Sequence, residues 1–257
     1  MPPSLYALLP LLLAVSSHAA IKTEVVEYKH DDKVLQGYFA YDDQVKGKRP
    51  AVFIVHEWYG HGPYARRRAE QLAKLGYLAF AGDMYGKGVF AKNHEEAGKL
   101  AGGVKGDYTL WLGRGLAGLA AMKNHPKADL DKLAAMGYCF GGGTVLALAR
   151  AGVDLKGVVS FHGSLDTTHP ADPGGVKAKI LVLHGADDGF VNAAVPAFQE
   201  EMRKAKADWQ LVSYGRAVHS FTVKEAGDDP SKGMAYDEAA DRRSWQAMKD
   251  FFAEIFR

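Results

Sequence analysis

Short runs of uninterrupted apolar residues alternate with longer amphipathic stretches through most of this chain, and that alternation predicts its elements. Residues 25–28 and 34–41 alternate apolar and polar positions with a period of two, which predicts a hairpin turned at Asp31 and Asp32. Residues 51–55 are continuously apolar, as in a strand buried on both faces. Residues 63–75 carry helical spacing and end at Gly76, a natural helix stop. Further strands are predicted at 77–81, 133–136, 157–161, 180–183 and 209–214, and further helices at 108–122, 143–151, 194–205 and 236–256. Repeated strand–helix units imply an α/β fold with a mostly parallel central sheet, helices on both faces and an N-terminal antiparallel hairpin. Reactive groups in such sheets gather beyond the carboxyl ends of the strands, so the residues just after each strand are the place to look for chemistry.

The first residues break the pattern. Residues 5–15 are almost wholly apolar, a run too short to span a bilayer, which needs ~20 helical residues. Ser17 and Ala19 then provide small residues at the −3 and −1 positions of a cleavage site. Residues 1–19 are therefore expected to be a signal peptide directing the protein to the periplasm or beyond, with an uncleaved anchor as the alternative. Residues 20–257 contain no repeat, low-complexity tract or linker, and are expected to form one domain. The formal net charge is only +2, and the single basic run, Arg66-Arg67-Arg68, is expected on the solvated face of a helix, so no nucleic-acid partner is indicated. There is one cysteine, which excludes an internal disulfide and leaves the fold to its apolar core.

Three strand ends carry candidate chemistry. Gly137-Tyr138-Cys139-Phe140-Gly141 has the form G-x-C-x-G between a predicted strand and a predicted helix, the pattern of a nucleophile elbow with Cys in place of Ser. Glycines on either side allow so tight a turn, and the following helix points its amides toward the sulfur, favouring the thiolate. Asp187 and Asp188 lie in the loop after the strand at 180–183, and by spacing alone either could be the acid. His219, after the strand at 209–214, completes the chain order nucleophile, acid, histidine. Of ten histidines, His30, His61, His94, His125 and His169 are expected to be solvated, and His162 and His184 structural. An oxyanion formed at such a site needs backbone donors, for which the N–H groups of Phe140 and Trp58 are in the right loops.

Taken together, His56-Glu57-Trp58, Asp83-Met84-Tyr85-Gly86, the Cys139 elbow with Gly142 and Gly143, and His219-Ser220-Phe221 resemble the dienelactone hydrolase (carboxymethylenebutenolidase) family of α/β-hydrolases. The resemblance runs from about residue 25 to the last helix. It implies a hydrolase that cleaves an ester or lactone through a Cys nucleophile and a thioester. It selects Asp188, followed by Val191, as the acid, and implies that Glu57 hydrogen-bonds the thiol and helps to ionise it when substrate binds. It also turns Tyr85 toward the site. One position departs: family members acting on dienelactone carry an Arg four residues beyond the histidine, and this chain has Val223. Trp58, Tyr59, Tyr85, Tyr138 and Phe161 are candidates for a pocket holding a flat or apolar acyl group.

Several classes of function are not indicated. His56-Glu57 and His61 miss the H-E-x-x-H spacing of a metal site by one residue, and no phosphate-binding loop is present. The expectation is thus a monomer acting on a small ester or lactone, with no cofactor, metal or nucleic acid, and no stable membrane insertion once the leader is removed. Two alternatives remain at this point: a secreted thiol redox protein, disfavoured by the lack of a second cysteine, and a binding protein on a hydrolase scaffold.

Overall fold

A computed structural model describes residues 20–257; the expected signal peptide, residues 1–19, lies outside the described residues. The strands are β1 (Ile21–His30), β2 (Lys33–Asp42), β3 (Arg49–Val55), β4 (Leu78–Gly82), β5 (Ala128–Tyr138), β6 (Gly157–Phe161), β7 (Lys179–Gly185) and β8 (Trp209–Tyr214). The helices are α1 (Pro63–Ala73), α2 (His94–Lys105), α3 (Tyr108–Lys123), α4 (Phe140–Arg150), α5 (Val195–Lys204) and α6 (Glu238–Ile255). All eight strands join one sheet in the order β1-β2-β4-β3-β5-β6-β7-β8. β1 and β2 form the expected antiparallel hairpin, with Asp31 in its turn at φ 50°, and β2 runs antiparallel to β4. From β4 through β8 every pairing is parallel. The fold is the α/β arrangement expected of the chain.

The continuous apolar runs follow from burial on both faces. In β3, Ala51, Phe53 and Val55 pack into one core cluster with Trp111 and Leu119 of α3, Val145 of α4 and Phe198 of α5. Val52 and Ile54 point the other way, into a second cluster with Leu72 of α1 and Met248 and Phe252 of α6. A two-residue period therefore divides the strand between two cores, and neither side tolerates a polar residue.

Several expectations need correction. β5 begins at Ala128, five residues before the apolar run, because its first residues pair with Arg49 and Pro50 ahead of a register shift in the ladder. α4 begins at Phe140 rather than Gly143, so the glycines lie inside the helix. α2 was not expected at all, since Gly98, Gly102 and Gly103 weaken its helical pattern. Arg68 is not on a solvated face: it is 7% exposed, and its Nη2 donates to Asp241 Oδ1 at 2.6 Å, tying α1 to α6. His125 is not solvated either, because its ring packs against Phe39 and Tyr41 with centroids 4.6 and 5.2 Å away. His61 is also largely enclosed, and burial lowers its pKa to about 3.

Candidate active site

Three loops at the carboxyl ends of β5, β7 and β8 bring Cys139, Asp188 and His219 together. Cys139 stands between β5 and α4 with φ 53° and ψ −114°, a strained conformation for a residue with a side chain. Its N–H donates to Phe161 O at 3.0 Å, which pins the turn to β6. Only glycine fits on either side. A Cβ at Gly137 would stand 2.1 Å from Gly141 O, and one at Gly141 would stand 2.2 Å from Val55 O. The G-x-C-x-G spacing is thus a packing requirement: α4 starts immediately after the cysteine and lies directly on the ends of β3 and β5.

His219 Nε2 lies 3.1 Å from Cys139 Sγ, and His219 Nδ1 lies 2.7 Å from Asp188 Oδ2. The two open aspartates separate cleanly, since Asp188 is 0% exposed and pairs with the histidine while Asp187 faces solvent. The second oxygen of Asp188 accepts the N–H of Phe190 at 3.0 Å, which fixes the carboxylate. The histidine loop is anchored in turn, as His219 N donates to Gly233 O and Ala235 N to His219 O. Burial disfavours a charged His219, but the charge of Cys139 and the hydrogen bond to Asp188 outweigh it and raise the pKa to about 10. The ring is therefore suited to hold a proton as imidazolium between thiolate and carboxylate.

The loop after β3 supplies the facing wall. His56 is fully buried and accepts the Met84 N–H on Nε2 at 3.1 Å, so its proton lies on Nδ1, 2.6 Å from Glu57 O. This single ring joins the loops after β3 and β4, and sequence reasoning assigned it no role; its place at a strand end was the available signal. Asp83 braces the second loop by accepting from Tyr85 N, Gly86 N and Gln36 N. Tyr85 is 3% exposed and donates its hydroxyl to Trp58 O at 2.9 Å, which holds the Trp58 peptide in place. Neither the Trp58 N–H nor the Phe140 N–H donates to a protein acceptor among the described residues, so both are available to an oxyanion.

Glu57, expected to act on the thiol when substrate binds, here accepts the Tyr59 N–H on Oε2 at 2.9 Å within its own tight loop, while the sulfur engages His219. Burial raises the Glu57 carboxyl to about 7, opposed by the Tyr59 N–H and assisted by nearby Glu225. Tyr138 and Phe161 are corrections. They are 0% and 1% exposed and stack on each other at 4.7 Å in the core between the sheet, α1 and α6, because β5 and β6 point these side chains away from the cysteine. Trp58 and Tyr59 remain partly exposed, edge to face at 5.8 Å. Phe190, absent from the sequence expectations, is 67% exposed and edge-on to His219 at 5.7 Å. Among the described residues no group of acidic, His or Cys side chains could hold a metal ion, and no helix is long and apolar enough to cross a membrane.

The dienelactone hydrolase family model matches residues 35–256. The chain belongs to the dienelactone hydrolase family. A Yersinia pestis protein provisionally named carboxymethylenebutenolidase is 29% identical over 230 residues, covering 86% of this chain and 84% of the relative. Among solved structures, a dienelactone hydrolase-like promiscuous phosphotriesterase from metagenomic libraries is 38% identical, with TM-score 0.87 over 93% of this chain and 100% of its own. A dienelactone hydrolase from Anabaena variabilis, 20% identical with TM-score 0.68 over 92% of this chain and 99% of its own, shares the fold. Membership makes this chain a hydrolase of the dienelactone hydrolase type and agrees with the resemblance carried by the four motifs.

Proposed function

We propose that this protein hydrolyses small carboxylic esters or lactones with Cys139 as nucleophile, His219 as general base and acid, and Asp188 as the group that orients and stabilises the histidine. The observation that carries this reading is the line Cys139 Sγ, His219, Asp188, with contacts of 3.1 and 2.7 Å on the two ring nitrogens. The thiolate of Cys139 attacks the carbonyl carbon, and the C=O electron pair moves to oxygen, where the N–H groups of Phe140 and Trp58 receive it. Collapse breaks the bond to the leaving oxygen, which takes the His219 proton and departs as an alcohol; in a lactone it stays tethered. Water then gives a proton to His219 and adds to the thioester. A second collapse releases the carboxylic acid and restores the thiolate and the imidazolium.

The position four residues beyond the histidine bears on the substrate class. Val223 offers no charge to a substrate carboxylate, so neutral esters and lactones are favoured over a carboxylated dienelactone. The 38% identical phosphotriesterase relative supports a side activity on neutral phosphotriesters, in which the same thiolate would attack phosphorus. Export to the periplasm or beyond belongs to this reading, supported by the apolar run at 5–15; sequencing the mature N-terminus checks it.

The test is turnover of a panel of activated short-chain esters, lactones and a neutral phosphotriester by the purified protein. Release of acid that disappears in Cys139→Ala and in His219→Ala is expected. A folded wild-type protein inert toward every ester and lactone would sink the reading, and peroxide consumption that persists without His219 and Asp188 would replace it with a redox function.

A further inference from the structure

Beside His219 lies a second buried imidazole. His162 follows β6 directly, is 0% exposed, and is locked by its N–H to Leu183 O at 2.8 Å with φ 38°. Its ring stands edge-to-face with His219 at 5.3 Å and 67°, and its Nε2 lies 2.8 Å from Thr222 Oγ1. Thr222 Oγ1 lies 2.7 Å from the Tyr64 hydroxyl, and Arg68 Nε donates to that same hydroxyl at 3.2 Å. Arg68 is held from its far side by Asp241 Oδ1 at 2.6 Å and also donates to Thr222 O at 3.1 Å. All of His162, Thr222, Tyr64 and Arg68 are buried.

A guanidinium only donates, so the Tyr64 oxygen accepts from Arg68, while the proton of the Tyr64–Thr222 bond and that of the Thr222–His162 bond can sit on either partner. A side chain anchored in this way cannot turn without breaking a buried hydrogen bond.

We propose that His162 is a positioning residue for His219, its ring fixed by the Arg68–Tyr64–Thr222 chain so that His219 can point only one nitrogen at Cys139 and the other at Asp188. The inference rests on the proposed role of His219 in hydrolysis. His219 itself occupies a loop, and its other aromatic neighbour, Phe190, is 67% exposed. His162 is the rigid wall. It also stays neutral: burial, then the charge on His219 and on Arg68, holds its pKa well below the ordinary histidine range. The remaining titratable groups facing it are His184, Tyr138 and Tyr64, none of them an anion at neutral pH that would draw a proton onto its ring. A second charged imidazole at this distance would compete with the cation on His219.

Because the chain has one cysteine, iodoacetamide alkylation reads the Cys139 thiolate directly and without any ester substrate. Three variants cut the support at different depths: His162→Phe keeps a ring but loses the Thr222 bond, Thr222→Val removes the middle link, and Tyr64→Phe removes the outer one. Each is expected to raise the pH midpoint of alkylation by about one unit, as a misaligned His219 supports the sulfur's charge less well. Ester turnover should fall about ten-fold or more in kcat with KM within two-fold, since only the alignment of His219 is lost. Should His162→Phe or Thr222→Val prove unfolded by circular dichroism, the milder Tyr64→Phe decides. An unchanged alkylation midpoint and an unchanged kcat in the folded variants, with only a lowered Tm, would overturn the proposal and leave His162 as packing. A shifted midpoint in variants of a wild-type protein that turns over no ester would keep the positioning role while removing the hydrolase reading.

Discussion

Asp188 and Glu57 are both largely enclosed carboxylates, yet their partners give them different properties. Asp188 has the imidazole of His219 on one oxygen and the Phe190 N–H on the other, so its charge is fully engaged. Replacing it by Asn keeps the size but offers an amide where an acceptor is needed, which leaves the histidine in the wrong tautomer. Asp188→Asn is expected to lower kcat by roughly 10³–10⁴ without unfolding the protein, as steady-state kinetics and circular dichroism would show. Glu57 has only one amide partner, and burial raises its carboxyl from 4.5 to about 7. A raised carboxyl binds its proton more tightly in the folded than in the unfolded chain. Its contribution to stability is therefore complete below pH 4.5 and is lost as pH rises toward about 7, on the order of 2–3 kcal/mol in all. Glu57→Gln removes that slope. Urea unfolding at pH 4 and pH 8 should show the variant gaining on the wild type at the higher pH, and parallel curves would refute the assignment.

Elements were legible where burial alone shaped them and obscure where contact with another element did. β6 coincides with its apolar run, because it is buried along its whole length. α2 was missed because three glycines outweighed its apolar spacing, although Asn93 accepts the Glu96 N–H and Glu96 Oε2 accepts the Lys92 N–H, a capping pattern visible in the sequence. Loss of that cap in Asn93→Ala should cost about 1 kcal/mol, seen as faster amide exchange across α2 with the rest of the protein unaltered. α4 shows the opposite limit. Glycines that lower helix propensity read as loop, yet Gly141 must be bare because Val55 O and His56 O lie 2.2 and 2.6 Å from where its Cβ would be. Those obstacles are backbone and cannot swing aside, so Gly141→Ala is expected to destabilise by at least about 2 kcal/mol in urea unfolding and to displace the cysteine with it.

At the scale of the whole molecule, chain order and strand ends pointed to Cys139, His219 and the Asp187–Asp188 pair, from which the family resemblance selected Asp188, whereas the polar structure behind them was not legible. Arg68 read as one of three surface arginines, and only the packing of α1 against α6 shows that it is enclosed with Asp241. Tyr138 and Phe161 read as pocket residues for the same reason: their aromatic character was visible, but the face of the sheet they occupy was not. The guanidinium of Arg68 also lies over the rings of Tyr64, Tyr138 and Trp245 at 5.2, 5.4 and 5.2 Å, so one side chain joins α1, β5 and α6. Removing it leaves the Asp241 carboxylate, whose side chain is only 18% exposed, without its cation, and empties a cavity among three aromatic rings. Arg68→Ala should therefore cost about 3 kcal/mol, or close to 10 °C in Tm for a protein of this size. The reference is Arg68→Met combined with Asp241→Leu, which removes both charges and keeps the volume; it should recover most of that loss. If the double variant is as unstable as Arg68→Ala, the contribution of Arg68 lies in its hydrogen bonds to Tyr64 and Thr222 rather than in the ion pair.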